Sequence, residues 1–164
     1  MVPYIQGLSH LKKSRVIWSR PGFLVRRLHQ IHMAIFLKEC ATEQVTPIQW
    51  GILTIVGATP GAGHVEIADE LGLDRSNVAN VVDRLTRRGL LKQAVSKADR
   101  RKKSVHITPA GRKLVKSFEA KAHRAQRKLL EMLSNEERNT FVTLLQRVIE
   151  HNNELSRAPI RSED

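Results

Sequence analysis

The 164 residues contain a single cysteine, Cys40. A disulfide framework within the chain is thereby excluded, which suits a reducing compartment and leads us to expect a cytoplasmic protein. Long apolar runs are missing as well, and no stretch approaches the roughly 20 apolar residues of a membrane span. The opening MVPYIQGLSHLKKSR has no apolar core after its charges, so no signal peptide is expected. No phosphate loop, activated nucleophile, zinc signature or convincing carboxylate pair stands out, and there is no internal repeat or low-complexity tract. These absences argue against an enzyme, a resident cofactor or metal, and a membrane partner.

Acid is scarce relative to base. The formal net charge is +12 and the pI about 10.6, a balance that favours a polyanionic partner without specifying a fold. The imbalance is local. Residues 41–70 carry four acids and no Lys or Arg, whereas residues 71–103 carry ten Lys or Arg against three acids. At 41 % hydrophobic residues, the chain can build a core and is too apolar for a disordered one.

Periodicity divides the chain into a mainly α order with one strand pair. Residues 1–19 read as a loose basic arm. Leu24, Leu28, Ile31 and Ile35 recur at helical spacing, predicting a first helix near 21–41. Thr46-Pro47-Ile48-Gln49 is a capping box with proline at the first helical position, opening a helix to about Val56. GATPGAG, residues 57–63, reads as a loop. A short helix follows at 64–71, stopped at Gly72, and Asp74 is placed to cap another that runs toward Gly89 with Val78, Val81, Val82 and Leu85 inward. Leu90-Leu91 begins a strand, Lys92–Lys103 is a basic turn, and Ser104–Ile107 is the return strand. Thr108-Pro109 opens a helix to about Leu133. Ser134-Asn135-Glu136-Glu137 opens the last one, with Phe141, Leu144, Leu145, Val148 and Leu155 on one stripe.

The segment HVEIADELGLDRSNVANVVDRLTRRGLL, residues 64–91, has the layout of a helix-turn-helix. Its second helix is about 21 Å long at about 1.5 Å per residue, a length that suits a major groove. With the valine stripe inward, Arg75, Ser76, Asn77, Asn80, Arg84 and Arg87 face outward. The N-terminal members Arg75, Ser76, Asn77 and Asn80 are the base-reading candidates, since Asn pairs with adenine and Arg with guanine. Arg84, Arg87 and Arg88 suit phosphates. The basic run KADRRKKS, residues 97–104, would form the tip of a wing. There Arg100, Arg101 and Lys102 would meet the neighbouring minor groove, and Asp99 would order the tip. Taken singly, either stretch is also what a solvated polar face or loop looks like.

The stretch from Thr46 to Leu114 resembles the MarR family of bacterial regulators. The residues that carry the resemblance are Gly72-Leu73-Asp74-Arg75-Ser76, Asp83-Arg84-Leu85, Arg88-Gly89-Leu90, Asp99-Arg100-Arg101 and Ile107-Thr108-Pro109-Ala110-Gly111. The resemblance implies a winged helix-turn-helix lobe with a two-stranded wing, N- and C-terminal dimerisation helices, and a homodimer on double-stranded DNA. It also implies Arg101 in the minor groove beside Asp99. The expected division is an arm at 1–19, a dimerisation helix at 20–45, the DNA-binding lobe at 46–108, dimerisation helices at 109–156 and a tail at 157–164. The helix at 20–41 is similar to a branch of the family that senses aromatic acyl-CoA thioesters.

These readings lead to a repressor on a pseudo-palindromic operator, released by a small-molecule effector such as an aromatic acid or its CoA thioester. Arg20, Arg26, Arg27, His29, His32 and Trp50 are the ligand candidates, because a planar acid needs both cations and an apolar slot. The same residues also read as exposed arginines, satisfied helix histidines and a core tryptophan. Cys40 as a redox switch, a metal shared by His29 and His32, an activator of the same fold and a sequence-blind coating protein are the alternatives. The polar face of Asn77 and Asn80 speaks against the last.

Overall fold

The computed structural model describes residues 15–41, 45–95 and 103–160. Its elements run α1 (Arg15–Trp18), α2 (Pro21–Glu39), α3 (Pro47–Ala58), α4 (His64–Leu71), α5 (Arg75–Arg87), β1 (Leu91–Val95), β2 (Lys103–Ile107), α6 (Pro109–Leu129) and α7 (Asn135–His151), ending in a 3-10 turn at Asn153–Leu155. This is a mainly helical, winged helix-turn-helix arrangement.

Local chemistry accounts for most boundaries. At α3, Gln49 N donates to Thr46 Oγ1 at 3.2 Å and Thr46 N donates to Gln49 Oε1 at 3.1 Å, completing the expected box. The helix continues through Gly57 to Ala58, beyond the expected loop start, and stops ahead of Pro60, whose ring disfavours helical geometry at Thr59. At α4, Gly63 N donates to the Glu66 carboxylate. Gly72 ends α4 at φ +60°, the left-handed geometry glycine adopts cheaply. Asp74 departs from expectation. Its backbone is extended and its carbonyl accepts from Val78 N at 3.1 Å, but its carboxylate caps nothing. Part of the expected arm is also ordered, as the single turn α1, where Trp18 meets Phe23 edge-on at 5.2 Å.

β1 and β2 pair antiparallel, from Leu91 opposite Ile107 to Val95 opposite Lys103. The segment before α4 joins their edge, with Gly61 N donating to Val105 O at 2.9 Å and Val105 N to Ala62 O at 3.0 Å. Ile52, Leu53 and Val56 of α3 pack with Ile67 and Ala68 of α4, Val78, Val82 and Leu85 of α5, and Leu91, Val105 and Ile107 of the strands. At about 1.5–3 kcal/mol per fully buried large apolar side chain, this cluster dominates the stability of the lobe. Val81 lies at its margin, half-buried, rather than in the core as expected.

A second cluster joins α2 to α6 through Phe36, Cys40, Val45, Phe118, Ala122 and Ala125. So α2 and α6, both placed among the dimerisation helices by the resemblance, bury much of their apolar surface on each other within one protomer. Glu39 reinforces the pair with Arg124 at 3.6 Å and Lys128 at 3.3 Å.

α6 ends at Leu129, earlier than expected, because residues 130–133 turn and Leu133 N donates to Leu130 O at 3.0 Å. Arg138 then bonds the carbonyls of this turn, its Nε donating to Leu130 O at 2.9 Å and its Nη2 to Glu131 O at 3.1 Å. The Ser134–Glu137 box opens α7, with Ser134 N to Glu137 Oε2 at 2.7 Å. No residue of α7 is buried, and Leu155, expected on its stripe, lies beyond its end in the 3-10 turn. Among the described residues, no helix is long and apolar enough to cross a membrane.

Candidate nucleic-acid interface

α5 is strongly two-faced. Val78, Val82 and Leu85 are fully buried, whereas Arg75, Ser76, Asn77, Asn80, Arg84 and Arg87 are all exposed. The structure therefore brings together every candidate expected on this helix. The face is about 20 Å long at about 1.5 Å per residue, and a major groove about 12 Å wide admits one such helix. The uncapped first turn leaves backbone amides at the same end as Arg75 and Ser76.

Two locks hold α5 in place. Gln93 Nε2 on β1 donates to Asp83 Oδ1 at 2.8 Å. Behind α5, Thr108 Oγ1 donates to Gly89 O at 2.7 Å and also accepts from Gly111 N at 3.0 Å. One hydroxyl thus caps α6 and ties it to the end of α5. The space there admits only glycine at position 111, since an added Cβ would stand 2.2 Å from Leu90 O. Composition gave no sign of the Asp83–Gln93 lock; the Thr108–Gly111 spacing was visible but its second partner was not.

Asp99, Arg100, Arg101 and Lys102 lie outside the described residues. The strands that carry them converge on Val95 and Lys103. At the base of this hairpin His64 is half-buried, and burial holds its imidazole below the ordinary pKa, helped by Lys103 and opposed by Asp83.

The six ligand candidates do not form one cluster. His32 and Trp50 share an aromatic row: His32 to Phe36 at 6.1 Å, Phe36 to Phe118 at 5.5 Å, and Phe118 to Trp50 at 6.0 Å. Trp50 Nε1 is buried there with no hydrogen-bond partner among the described residues. His32 faces Gln126 of α6, Nε2 to Nε2 at 3.4 Å. Burial, and secondarily His29, holds the His32 pKa below its ordinary value. Arg27 donates to Gln30 Oε1 at 3.0 Å, and His29 is exposed one helical step from His32. Arg20 and Arg26 sit at the far end of α2, about 18 Å of helix before His32 in the case of Arg20; Arg26 lies over Phe23 at 5.1 Å. Phe36, Phe118 and Gln126 were missed as site residues. The signal for Phe118 was present in the Leu114, Phe118, Ala122, Ala125 stripe of α6. Cys40 is 2 % exposed, so oxidants have poor access to its thiol.

A model of the MarR family matches residues 43–102. A protein named as a transcriptional regulator for the hcr operon of Thauera aromatica is 33 % identical over 134 residues, 81 % of this chain and 81 % of that relative. Among solved structures, BpsR of Bordetella bronchiseptica, whose DNA binding is regulated by 6-hydroxynicotinic acid, is similar at a TM-score of 0.76. It is 31 % identical, with 79 % of this chain and 92 % of that one covered. The transcriptional repressor CouR, bound to a 23-mer DNA duplex, is similar at a TM-score of 0.77 with 29 % identity, over 85 % of this chain and 98 % of that one.

Proposed function

The chain belongs to the MarR family of transcriptional regulators, and from that premise we propose a cytoplasmic, homodimeric repressor of a catabolic or detoxification operon. It reads a pseudo-palindromic operator in double-stranded DNA and releases it when an aromatic acid or its CoA thioester binds. The observation that carries the DNA reading is the division of α5 into a buried valine face and an exposed Arg/Ser/Asn face. Arg75, Ser76, Asn77 and Asn80 read bases, and Arg84 and Arg87 hold phosphates. By resemblance, Arg101 enters the minor groove. Residues 46–108 act as the DNA-binding lobe, with 20–45 and 109–156 as dimerisation segments. The DNA duplex held by CouR supports this reading.

The effector clause is supported by the aromatic row with the Trp50 Nε1 donor that has no partner among the described residues, and by the regulation of BpsR by 6-hydroxynicotinic acid. A planar acid entering at that row would accept from Trp50 Nε1, and His32 offers a second donor at the row's other end. The ligand must favour a dimer geometry that misplaces α5, since equal affinity for both geometries shifts nothing.

The test has two stages. A duplex selected from a random pool by the full chain is mixed with aromatic acids and their CoA thioesters, and release is followed by fluorescence anisotropy. Release by at least one compound, lost in Trp50→Phe while duplex affinity is kept, is the expected result. Equal release from wild type and Trp50→Phe would remove Trp50 from the site. No selected sequence at all would end the operator reading.

A further inference from the structure

The residues after α7 do not trail away from the body. Asn153 Nδ2 donates to Ile160 O at 2.8 Å and Ile160 N donates to Asn153 Oδ1 at 2.9 Å. This reciprocal amide pair closes residues 153–160 into a loop. The loop is seated on the helix-turn-helix: Ile160 Cγ1 lies 3.3 Å, and Ala158 O 3.6 Å, from where a Cβ on Gly72 would stand. It forms one wall of a cleft of about 820 Å³ whose other wall includes Asp69, Leu73, Arg75 and Ser76. The two walls thus belong to the very end of the described chain and to the first base-reading residues of α5.

The other end of α7 is also fixed. Arg138 ties it to the Leu130 and Glu131 carbonyls just after α6 at 2.9 and 3.1 Å. Between these anchors α7 has no buried residue. Its 17 residues, about 25 Å at about 1.5 Å per residue, have hydrogen-bonded anchors at both ends. A rod held in this way transmits the position of one end to the other.

We infer that Asn153 and Ile160 are positioning residues for DNA recognition: the closed 153–160 loop, seated on Gly72, links α7 to the N-terminal end of α5 and sets where the base-reading residues stand relative to the dimerisation helices. This rests on the operator reading above. Hydrogen bonding supplies the closure and the missing side chain of Gly72 supplies the seat. A larger residue there would meet Ile160 as well as a strained φ of +60°.

The consequence is geometric. A dimer with both loops closed prefers one spacing between half-sites, because spacing mirrors the separation of the two recognition helices. With the loops open, that separation is less determined and neighbouring spacings become equivalent.

The experiment compares wild type with Asn153→Ala, Asn153→Asp and Ile160→Ser as full chains. Each is titrated with the duplex selected by wild type and with duplexes whose half-sites are moved apart or together by one base pair. Asn153→Ala and Ile160→Ser are expected to keep wild-type circular dichroism and oligomeric state while losing the preference for one spacing. Asn153→Asp, which still accepts from Ile160 N, should fall between. Hydrogen exchange at the Leu73 amide, which donates to Ala68 O at 2.9 Å, should quicken in the same variants without a general rise elsewhere. Full spacing preference and unchanged Leu73 exchange in both Asn153→Ala and Ile160→Ser would overturn the inference. If wild type selects no sequence, the operator reading itself fails, which is a separate outcome.

Discussion

Thr108 and Gly111 illustrate how much one corner can hold. The Thr108 hydroxyl bonds Gly89 O and Gly111 N, joining the end of α5 to the start of α6. Alanine at 111 would gain helix propensity of up to about 1 kcal/mol. The same methyl would stand 2.2 Å from Leu90 O and 2.7 Å from Ile107 Cγ1, and backbone cannot yield as a flexible side chain does. The clash wins: Gly111→Ala is expected to destabilise by about 1–3 kcal/mol, the usual range for overpacking. Urea denaturation measures it, and a variant as stable as wild type would mean that the corner opens freely. A second residue-scale expectation concerns acid. His32 and His64 both titrate below the ordinary 6.5, each chiefly through burial. Above 6.5 both are neutral folded or unfolded. As pH falls below it the unfolded chain takes up protons first, so stability is lost from about 6.5 down through the folded values. Melting temperature should decline over that window, and less steeply in His32→Gln and His64→Gln. A wild-type profile flat from pH 7 to 5 contradicts this. The Thr-Pro-x-Gly spacing was legible in the sequence. The Leu90 carbonyl that forbids a side chain at 111 was not, because it comes from another element 21 residues earlier.

At the scale of elements, the proposed reading divides the work of α5 along its length. Asn77 and Asn80 stand near the N-terminal end, Arg84 and Arg87 toward the C-terminal end, all exposed. Asn80→Ala is expected to relax selection at one base position, at a cost of about 1–3 kcal/mol in discrimination. Arg84→Ala and Arg87→Ala should instead weaken binding to all duplexes alike and reduce the salt slope by about 0.9 for each phosphate no longer neutralised. Binding isotherms at several salt concentrations separate the two classes. If Asn80→Ala changed the salt slope and left sequence preference alone, its assignment to a base would be wrong. The reach of sequence reasoning follows the range of the forces involved. The boxes at Thr46 and Ser134 and the glycine stop at Gly72 are local, and appear where their residues stand. Asp74 shows the limit: the residue type and the backbone suit a cap, yet the carboxylate makes no cap hydrogen bond. The aromatic row was only half legible, since Trp50 and His32 reach it through Phe36 and Phe118 on elements far apart in the chain.

For the whole molecule, the distribution of buried surface separates two kinds of helix. α2 and α6 pack together within the protomer and are half satisfied by it. α7 is not: Val142, Leu144, Val148 and Ile149 are 44–61 % exposed, and none of its residues is buried. Four large aliphatic side chains at helical spacing on one element favour a second copy as their cover, with Val148 and Ile149 placed between the anchor at Arg138 and the loop at Asn153. Substituting Val148→Glu tests this cleanly, because an exposed side chain that supports no core contact leaves the protomer fold unchanged. The variant is expected to run as a monomer in sedimentation velocity at concentrations where wild type is a dimer, with unaltered circular dichroism. Its affinity for the two-half-site duplex should fall by about 10²–10⁴, the usual gain when a second binding event is made intramolecular. Affinity for an isolated half-site should be unaffected, since α5 is untouched. A Val148→Glu chain that remains dimeric would move the dimer surface away from α7 and onto the exposed Leu24, Val25 and Ile31 of α2, whereas a wild-type chain that is already monomeric would end the dimer reading itself.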